Sequence, residues 1–186
     1  MDFYASLLNF NPSNPQEAQD RSEILRRLEQ GEQLLTRDNL SAHLTVSGWV
    51  VNPDRTLVLM AYHNLYDSWA WLGGHADGEQ DLLAVALREV QEESGLVARP
   101  VSDEIFSVEI LPVAGHEKHG DYVPSHLHLN VTFLLEADPS APTRHKEDEN
   151  KAVRWFPVEE AAAASSEPWM RDRIYRKLIE KTAAYV

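Results

Sequence analysis

The chain contains no cysteine, and it is short of positive charge. Without cysteine there is no disulfide framework, no thiolate zinc site and no cysteine nucleophile. Its 17 Lys and Arg against 30 Asp and Glu give a formal net charge of −13. A protein that wraps nucleic acid needs a basic face to displace counterions, so we predict no nucleic-acid partner.

Long apolar runs are also missing. No stretch approaches the ~20 apolar residues of a membrane span. Residues 1–14 lack the basic start and apolar core of a secretory signal. We therefore predict no membrane partner and a cytoplasmic location. The composition, 43% hydrophobic and 25% charged, is that of an ordinary globular protein.

Helical and strand-like patterns alternate along the 186 residues. Residues 16–37 predict an accessory helix, and residues 168–184 a final helix whose basic side chains form a solvated face. Residues 78–95 carry the strongest helical period, which Gly95 is placed to end. Strands are predicted at 42–51, 56–62, 105–113, 127–135 and 153–158. Together these elements indicate one α/β domain, a mixed sheet layered with helices, at residues 41–186, after a helical extension at residues 1–40.

Three carboxylates lie on one face of the helix at residues 78–95. Glu89, Glu92 and Glu93 stand at i, i+3 and i+4, so their like charges repel. A hard divalent cation would reverse the sign of that interaction, because oxygen-rich sites suit Mg²⁺ or Mn²⁺. The alternative is a solvated helix face. The glycine pair Gly73 and Gly74 favours the cation, because a bend without side chains lets the backbone approach a bound ion or phosphate.

Residues 74–96 resemble the Nudix box, a pattern of glycines, an Arg-Glu pair and a Glu-Glu pair at fixed spacing. The matching positions are Gly74, Arg88, Glu89, Val90, Glu92, Glu93, Gly95 and Leu96. One position departs from the pattern. The family's first Glu falls on Gln80, and either Gln80 replaces a peripheral ligand or Glu79 takes its place.

This resemblance implies a Nudix-type α/β/α sandwich and a hydrolase for a small-molecule diphosphate, assisted by Mg²⁺ or Mn²⁺. The family's metal ligands fall on the Gly73 carbonyl, Glu89, Glu92 and Glu93. Arg88 falls on a position that orients the glutamates through a charge-assisted hydrogen bond.

The chemistry also requires a general base. Water attack on a diphosphate brings an anionic nucleophile to an anionic target, so a cation must neutralise the oxygens and lower the pKa of the water. Glu92 is the first candidate for the base. Glu147 and Glu149, in the polar loop before the last strand, are the second, although a charged loop is usually only solvated.

Residues outside the box are candidates for substrate binding. His126 and His128 alternate on a predicted strand, so both face one side of the sheet, where they either line the cleft or form a half-buried polar face. Trp69 either stacks on a base or packs in the core. Glu149 is a fourth candidate for substrate binding.

Two functions remain open. The first is an active, cation-dependent diphosphate hydrolase, and the second is a Nudix-fold domain that binds a nucleotide derivative without cleaving it. Only the Gln80 departure favours the second. A third reading, isopentenyl diphosphate isomerase chemistry, relies on a cysteine and is excluded. The sequence identifies neither the substrate nor the oligomeric state, although a homodimer is possible through the N-terminal helix.

Overall fold

A computed structural model describes residues 2–118 and 120–185. Its helices are α1 (Phe3–Asn9), α2 (Pro15–Glu29), α3 (Leu82–Ser94), α4 (Ala161–Ala164) and α5 (Arg176–Ala184). Its strands are β1 (Ala42–Val51), β2 (Leu57–His63), β3 (Ser68–Ala70), β4 (Leu72–His75), β5 (Arg99–Pro100), β6 (Ser107–Val113), β7 (His116–Lys118), β8 (Asp121–Val123), β9 (His126–Glu136) and β10 (Asn150–Pro157). Within these residues no helix is long and apolar enough to cross a membrane.

The long central strand β1 organises the sheet. It runs parallel to β9 over its whole length and antiparallel to β2 and β4. The strand order along the sheet is β10-β2-β1-β9-β5, with β3 on β2, β4 on β1 and β6 on β9. The prediction of a mixed sheet layered with helices is therefore confirmed.

Alternate residues of β1 serve two different cores, because successive side chains of a strand point to opposite faces. Leu44, Val46 and Val50 lie in one buried cluster with the apolar side of α3. Trp49 and Val51 lie in the other, with the C-terminal helices. Strand β4 belongs to this sheet, and α3 packs on one face of it. The position of α3 relative to β4 is therefore fixed by the buried core between them.

Helix α2 packs against the free edge of β6, and α1 packs against α2. Gln16 Nε2 donates to the Val108 carbonyl at 3.1 Å, and Asp20 Oδ2 accepts from the Ile110 N–H at 2.9 Å. These bonds satisfy backbone groups that an uncovered edge strand would offer to another chain. The predicted helix at residues 16–37 is shorter than expected, because α2 ends at Glu29 and Gly31 adopts a left-handed φ of 76°.

Two predictions about the C-terminal region need correction. Residues 170–175 form a π-helical segment before α5, so the final helix is not regular throughout. The basic residues of this region do not all face solvent. Lys177 is 5% exposed, and its Nζ lies 2.8 Å from Glu109 Oε1, while Lys181 Nζ lies 2.9 Å from Glu17 Oε1. Their acidic partners come from distant segments, which the local sequence does not reveal.

Candidate active site

Helix α3 carries the three glutamates, and its two ends are fixed by local sequence. Asp81 caps the first turn by accepting a hydrogen bond from the Ala84 N–H at 3.1 Å. Gly95 ends the helix with φ of 74°, as predicted. Buried Val85 and Val90 hold the helix on the sheet, so Glu89 and Glu93 lie against β4, while Glu92 is exposed.

Glu93 is the most deeply buried of the three, with 3% of its surface exposed. Its Oε1 accepts from the Gly73 N–H at 2.7 Å, and its Oε2 accepts from Asn150 Nδ2 at 2.7 Å. Burial raises the pKa of the Glu93 carboxyl to about 8, although both hydrogen bonds oppose that rise. The charged form of this carboxyl is therefore disfavoured unless a positive charge lies close to it.

Glu89 lies over the second glycine of the pair. A Cβ atom on Gly74 would sit 2.6 Å from both Glu89 Cδ and Glu89 Oε2, so only glycine leaves room for this carboxylate. Arg88 donates an Nη2 hydrogen bond to Glu89 Oε1 at 3.0 Å. Burial raises the pKa of Glu89, and the Arg88 contact opposes it.

The glycine pair is not a flexible bend. Gly73 and Gly74 belong to β4 and pair with Ser47 and Val46 of β1. A Cβ atom on Gly73 would lie 2.2 Å from the Val46 carbonyl oxygen. The glycines thus allow close approach within a strand, rather than supplying mobility.

The loop before β10 approaches the exposed side of α3. Lys146 Nζ lies 2.9 Å from Glu149 Oε1 and 3.9 Å from Glu92 Oε2, so the two candidate bases share one lysine. The Arg144 N–H donates to the Ser94 carbonyl at 2.9 Å, which anchors the loop to the end of the helix. Glu147 lies in the same loop, and its carbonyl accepts from Asn64 Nδ2 at 3.2 Å.

The positions before α3 form an exposed turn. Glu79 Oε1 accepts from the Asp81 N–H at 2.9 Å, so this carboxylate supports the start of the helix. Gln80 is also exposed. The geometry therefore gives Glu79 a local structural contact, and which of the two occupies the family's position stays a prediction.

The histidine pair lies on β9 as predicted, and the structure adds neighbours to it. His126 Nε2 and His128 Nε2 are 3.1 Å apart, and the rings of His43 and His75 lie beside them. Burial lowers the pKa of His128 to about 2, and the neighbouring imidazoles add to that effect. Burial also lowers the pKa of His43. Neutral rings of this kind offer lone pairs but no positive charge for a phosphate.

Trp69 lies on β3 and is half-buried. Its ring meets Tyr62 edge-on with centroids 5.3 Å apart, and Phe156 with centroids 4.9 Å apart. These contacts match the core-packing alternative. A role for Trp69 in stacking on a base stays a prediction.

Sequence reasoning missed Asn150, Lys146, His43 and His75. Asn150 bonds Glu93 from 57 positions away, a pairing that no local pattern could reveal. The one available signal was its place beside Glu149, in the polar loop before the strand predicted at residues 153–158. His75 stood inside the box, but its partner strand β1 could not be identified from the sequence.

The donor set suits a hard divalent cation. Carboxylate oxygens from Glu89, Glu92 and Glu93 lie on one side of α3. The carboxylates of Glu89 and Glu93 lie against β4 at its two glycines, which have no side chains. The cations within salt-bridge distance of the three, among the described residues, are Arg88 and Lys146, both on the exposed side. Among the described residues, no basic side chain lies within salt-bridge distance of Glu93, the buried member of the set.

Comparison with known proteins identifies the family of this chain. The model of the NUDIX domain matches residues 41–178. The phosphatase NudJ of Escherichia coli strain K12 is 27% identical over 124 residues, which cover 67% of this chain and 74% of that protein. The NudJ phosphatase of Shigella flexneri matches to the same extent.

Solved structures share the fold at low sequence identity. A Nudix-family hydrolase from Clostridium perfringens has a TM-score of 0.53 and 21% identity, and covers 76% of this chain and 97% of its own. The dihydroneopterin triphosphate pyrophosphohydrolase of E. coli has a TM-score of 0.56 and 16% identity, and covers 74% and 94%. An Ap4A hydrolase from C. elegans has a TM-score of 0.53 and 18% identity, and covers 76% and 96%.

The mixed sheet between helices is the fold that these Nudix-type structures share. Since the family model covers most of the chain, the protein belongs to the Nudix hydrolase family.

Proposed function

We propose that this protein is a Mg²⁺- or Mn²⁺-dependent hydrolase that cleaves the diphosphate linkage of a nucleoside diphosphate derivative or a related compound. The observation that supports this most directly is the placement of Glu93 and Glu89 against Gly73 and Gly74. Glu89, Glu92, Glu93 and the Gly73 carbonyl would hold the cation.

A cation bound there would neutralise phosphate oxygens and lower the pKa of the attacking water. The oxygen of that water forms a bond to phosphorus, while the bond from phosphorus to the bridging oxygen breaks and the bridging oxygen leaves on the second phosphate. Glu92 accepts the proton of the water, and Glu149 is the alternative acceptor. Arg88 orients Glu89 through its 3.0 Å hydrogen bond.

Three further features complete the proposal. The substrate is a small-molecule diphosphate bound with help from His126, His128, Trp69 or Glu149. The phosphatase, Ap4A hydrolase and pyrophosphohydrolase among the similar proteins act on phosphate compounds, and we extend that class to this chain.

We also propose that residues 1–40 form an extension to a catalytic domain at residues 41–186, and that the enzyme works in the cytoplasm without nucleic-acid partners.

A substrate panel tests the function. Dinucleoside polyphosphates, nucleotide sugars, ADP-ribose and nucleoside triphosphates would be incubated with the full chain and Mg²⁺, Mn²⁺ or chelator, and the products separated by chromatography. We expect turnover of at least one compound, dependent on the cation. Tight binding of a nucleotide without turnover under any of these conditions would instead support the binding-domain alternative.

The two glycines give a sharper prediction about the site. Gly74→Ala should fold normally but lower kcat by about 10- to 100-fold, because its Cβ displaces the Glu89 carboxylate from the reacting position. Gly73→Ala should instead lose stability, since its Cβ collides with the β1 backbone, which cannot move aside. Thermal unfolding and turnover of the preferred substrate measure both effects. Equal turnover in Gly74→Ala and wild type would contradict the placement of Glu89.

A further inference from the structure

Four imidazoles converge where β1 and β9 begin and β4 ends. His43 pairs with His128 in the parallel β1–β9 register, and His75 pairs with Thr45 two positions along β1. The three side chains therefore share one face of the sheet. Their ring centroids are 5.0 to 5.3 Å apart. One ring nitrogen from each of His43, His75 and His128 lies within 4.8 Å of the other two.

The orientation of His43 points to a missing ligand. Its Nδ1 lies 3.1 Å from the Asn39 carbonyl, which can only accept, so Nδ1 carries the proton and Nε2 carries the lone pair. His43 is 5% exposed, and its Nε2 has no hydrogen-bond partner among the described residues. A buried acceptor without a partner is unfavourable, and native structures rarely retain one without a reason.

The same arrangement is used by histidines that bind metals. Such rings donate one N–H to a backbone carbonyl, which fixes the tautomer and directs the other nitrogen to the ion. His126 follows this pattern too. Its Nδ1 lies 2.8 Å from the Pro124 carbonyl, and its Nε2 accepts from His128 Nε2 at 3.1 Å. His126 is thereby placed to orient the His128 ring.

This cluster differs chemically from the glutamate site. Neutral imidazole nitrogens favour borderline ions such as Zn²⁺, Ni²⁺ or Cu²⁺, whereas carboxylates favour Mg²⁺ and Mn²⁺. Nitrogens 2.0 to 2.1 Å from a tetrahedral ion lie about 3.4 Å apart, so the widest separation of 4.8 Å would close by only about 1.4 Å. Binding of the ion would require the three rings to approach one another by that amount.

We propose that His43, His75 and His128 form a second cation site, which binds one borderline transition-metal ion of the Zn²⁺ type. His126 is a positioning residue for His128. The site uses none of the groups proposed to hold the hydrolytic cation, and its occupancy does not depend on turnover of any substrate.

Zinc titration of the full chain tests the proposal. The protein would be produced without a histidine tag, stripped with chelator, and titrated calorimetrically with ZnCl₂ in excess Mg²⁺, so that Mg²⁺ occupies the glutamate site. We expect one zinc ion per chain. Saturating zinc should also raise the thermal midpoint by about 5 °C or more, because the ion binds only the folded state.

Three variants identify the ligands. His43→Gln, His75→Gln and His128→Gln should each weaken zinc binding by more than about 100-fold. Loss of a residue that only hydrogen-bonds to a ligand would weaken it by about 10- to 100-fold. His145→Gln is the matched control, because His145 is exposed in the loop before β10. X-ray absorption of the zinc-loaded wild type should show nitrogen ligands at about 2.0 Å, a result that does not depend on the folding of any variant.

The contrary results are equally specific. Absence of zinc binding by the wild type would overturn the site, and so would binding that survives all three substitutions or is lost in Glu93→Gln instead. A higher KM in His128→Gln, without zinc binding by the wild type, would assign the cluster to substrate and also overturn the proposal.

Discussion

Glu93→Gln should lower kcat by more than about 100-fold under conditions where the wild type turns over its substrate with Mg²⁺. Removing an anionic ligand of a catalytic cation takes away several kcal/mol of charge stabilisation in the transition state. The amide can still pair with its surroundings. If its oxygen keeps the Gly73 N–H, its NH₂ group can donate to Asn150 Oδ1, an otherwise unpaired atom, once the Asn150 amide turns over.

The variant should nevertheless fold. Burial disfavours the charged form of Glu93, which is why its pKa is raised to about 8, and glutamine resembles the neutral form. Loss of activity with an unchanged thermal midpoint would therefore report on the site and not on folding.

Two comparison variants calibrate this result. Asn150→Ala removes only the partner of Glu93 and should lower activity by about 10- to 100-fold. Glu180→Gln removes one negative charge from an exposed position of α5 and should leave turnover unchanged. If Glu93→Gln kept turnover within 10-fold of the wild type, Glu93 would not be a ligand of a catalytic ion.

The part of the site that lies within one stretch of sequence could be predicted. The period of α3, the stop at Gly95 and the common face of the three glutamates all follow from spacings of a few residues. The strand alternation that placed His126 and His128 on one side is equally local. These elements depend on backbone geometry that repeats regardless of the rest of the fold.

Contacts between distant strands could not be predicted in the same way. Gly73 and Gly74 read as a bend because no residue beside them reveals that β1 lies 2.2 Å from a potential Cβ. Asn150 and His43 read as ordinary polar residues, because their partners arrive only through the sheet register. The prediction of a solvated basic face on the last helix was wrong for two lysines for a similar reason, since Lys177 and Lys181 meet acids from α2 and β6.

The ion pairs that Glu17 of α2 makes with Lys177 and Lys181, here called the α2 network, should have the largest effect on the free energy of unfolding when they are removed by mutation. Glu17 has a fully buried side chain, and its Oε1 lies 2.9 Å from Lys181 Nζ and 3.4 Å from Lys177 Nζ. Glu17→Gln leaves a buried lysine without full compensation, which costs about 3 kcal/mol in the free energy of unfolding. For a chain of this size the thermal midpoint should fall by about 6 to 12 °C at pH 7.

The pH dependence of this loss has a definite sign. Burial alone would raise the pKa of Glu17, but Lys177, the Ser13 N–H and Lys181 outweigh it and hold the pKa at about 2, below the ordinary value of 4.5. A carboxylate with a lowered pKa stabilises the fold above pH 4.5, and that stabilisation is lost as the pH falls towards 2. The difference between wild type and Glu17→Gln should therefore be full at pH 7 and shrink below pH 4.5.

Comparison with Glu23→Gln tests whether burial of the carboxylate or its lowered pKa determines how much stability the substitution removes. Glu23 lies on the same helix, and the hydrogen bond from Arg26, followed by that from Arg27, lowers its pKa to about 2 as well, although burial opposes this. Its side chain is 34% exposed, however, and exposed pairs contribute about 1 kcal/mol at most. Urea unfolding of the two variants at pH 7 should thus show a loss several times larger for Glu17→Gln. Equal losses would mean that the buried lysines find other partners, and that the α2 network is not what holds the N-terminal helices to the sheet.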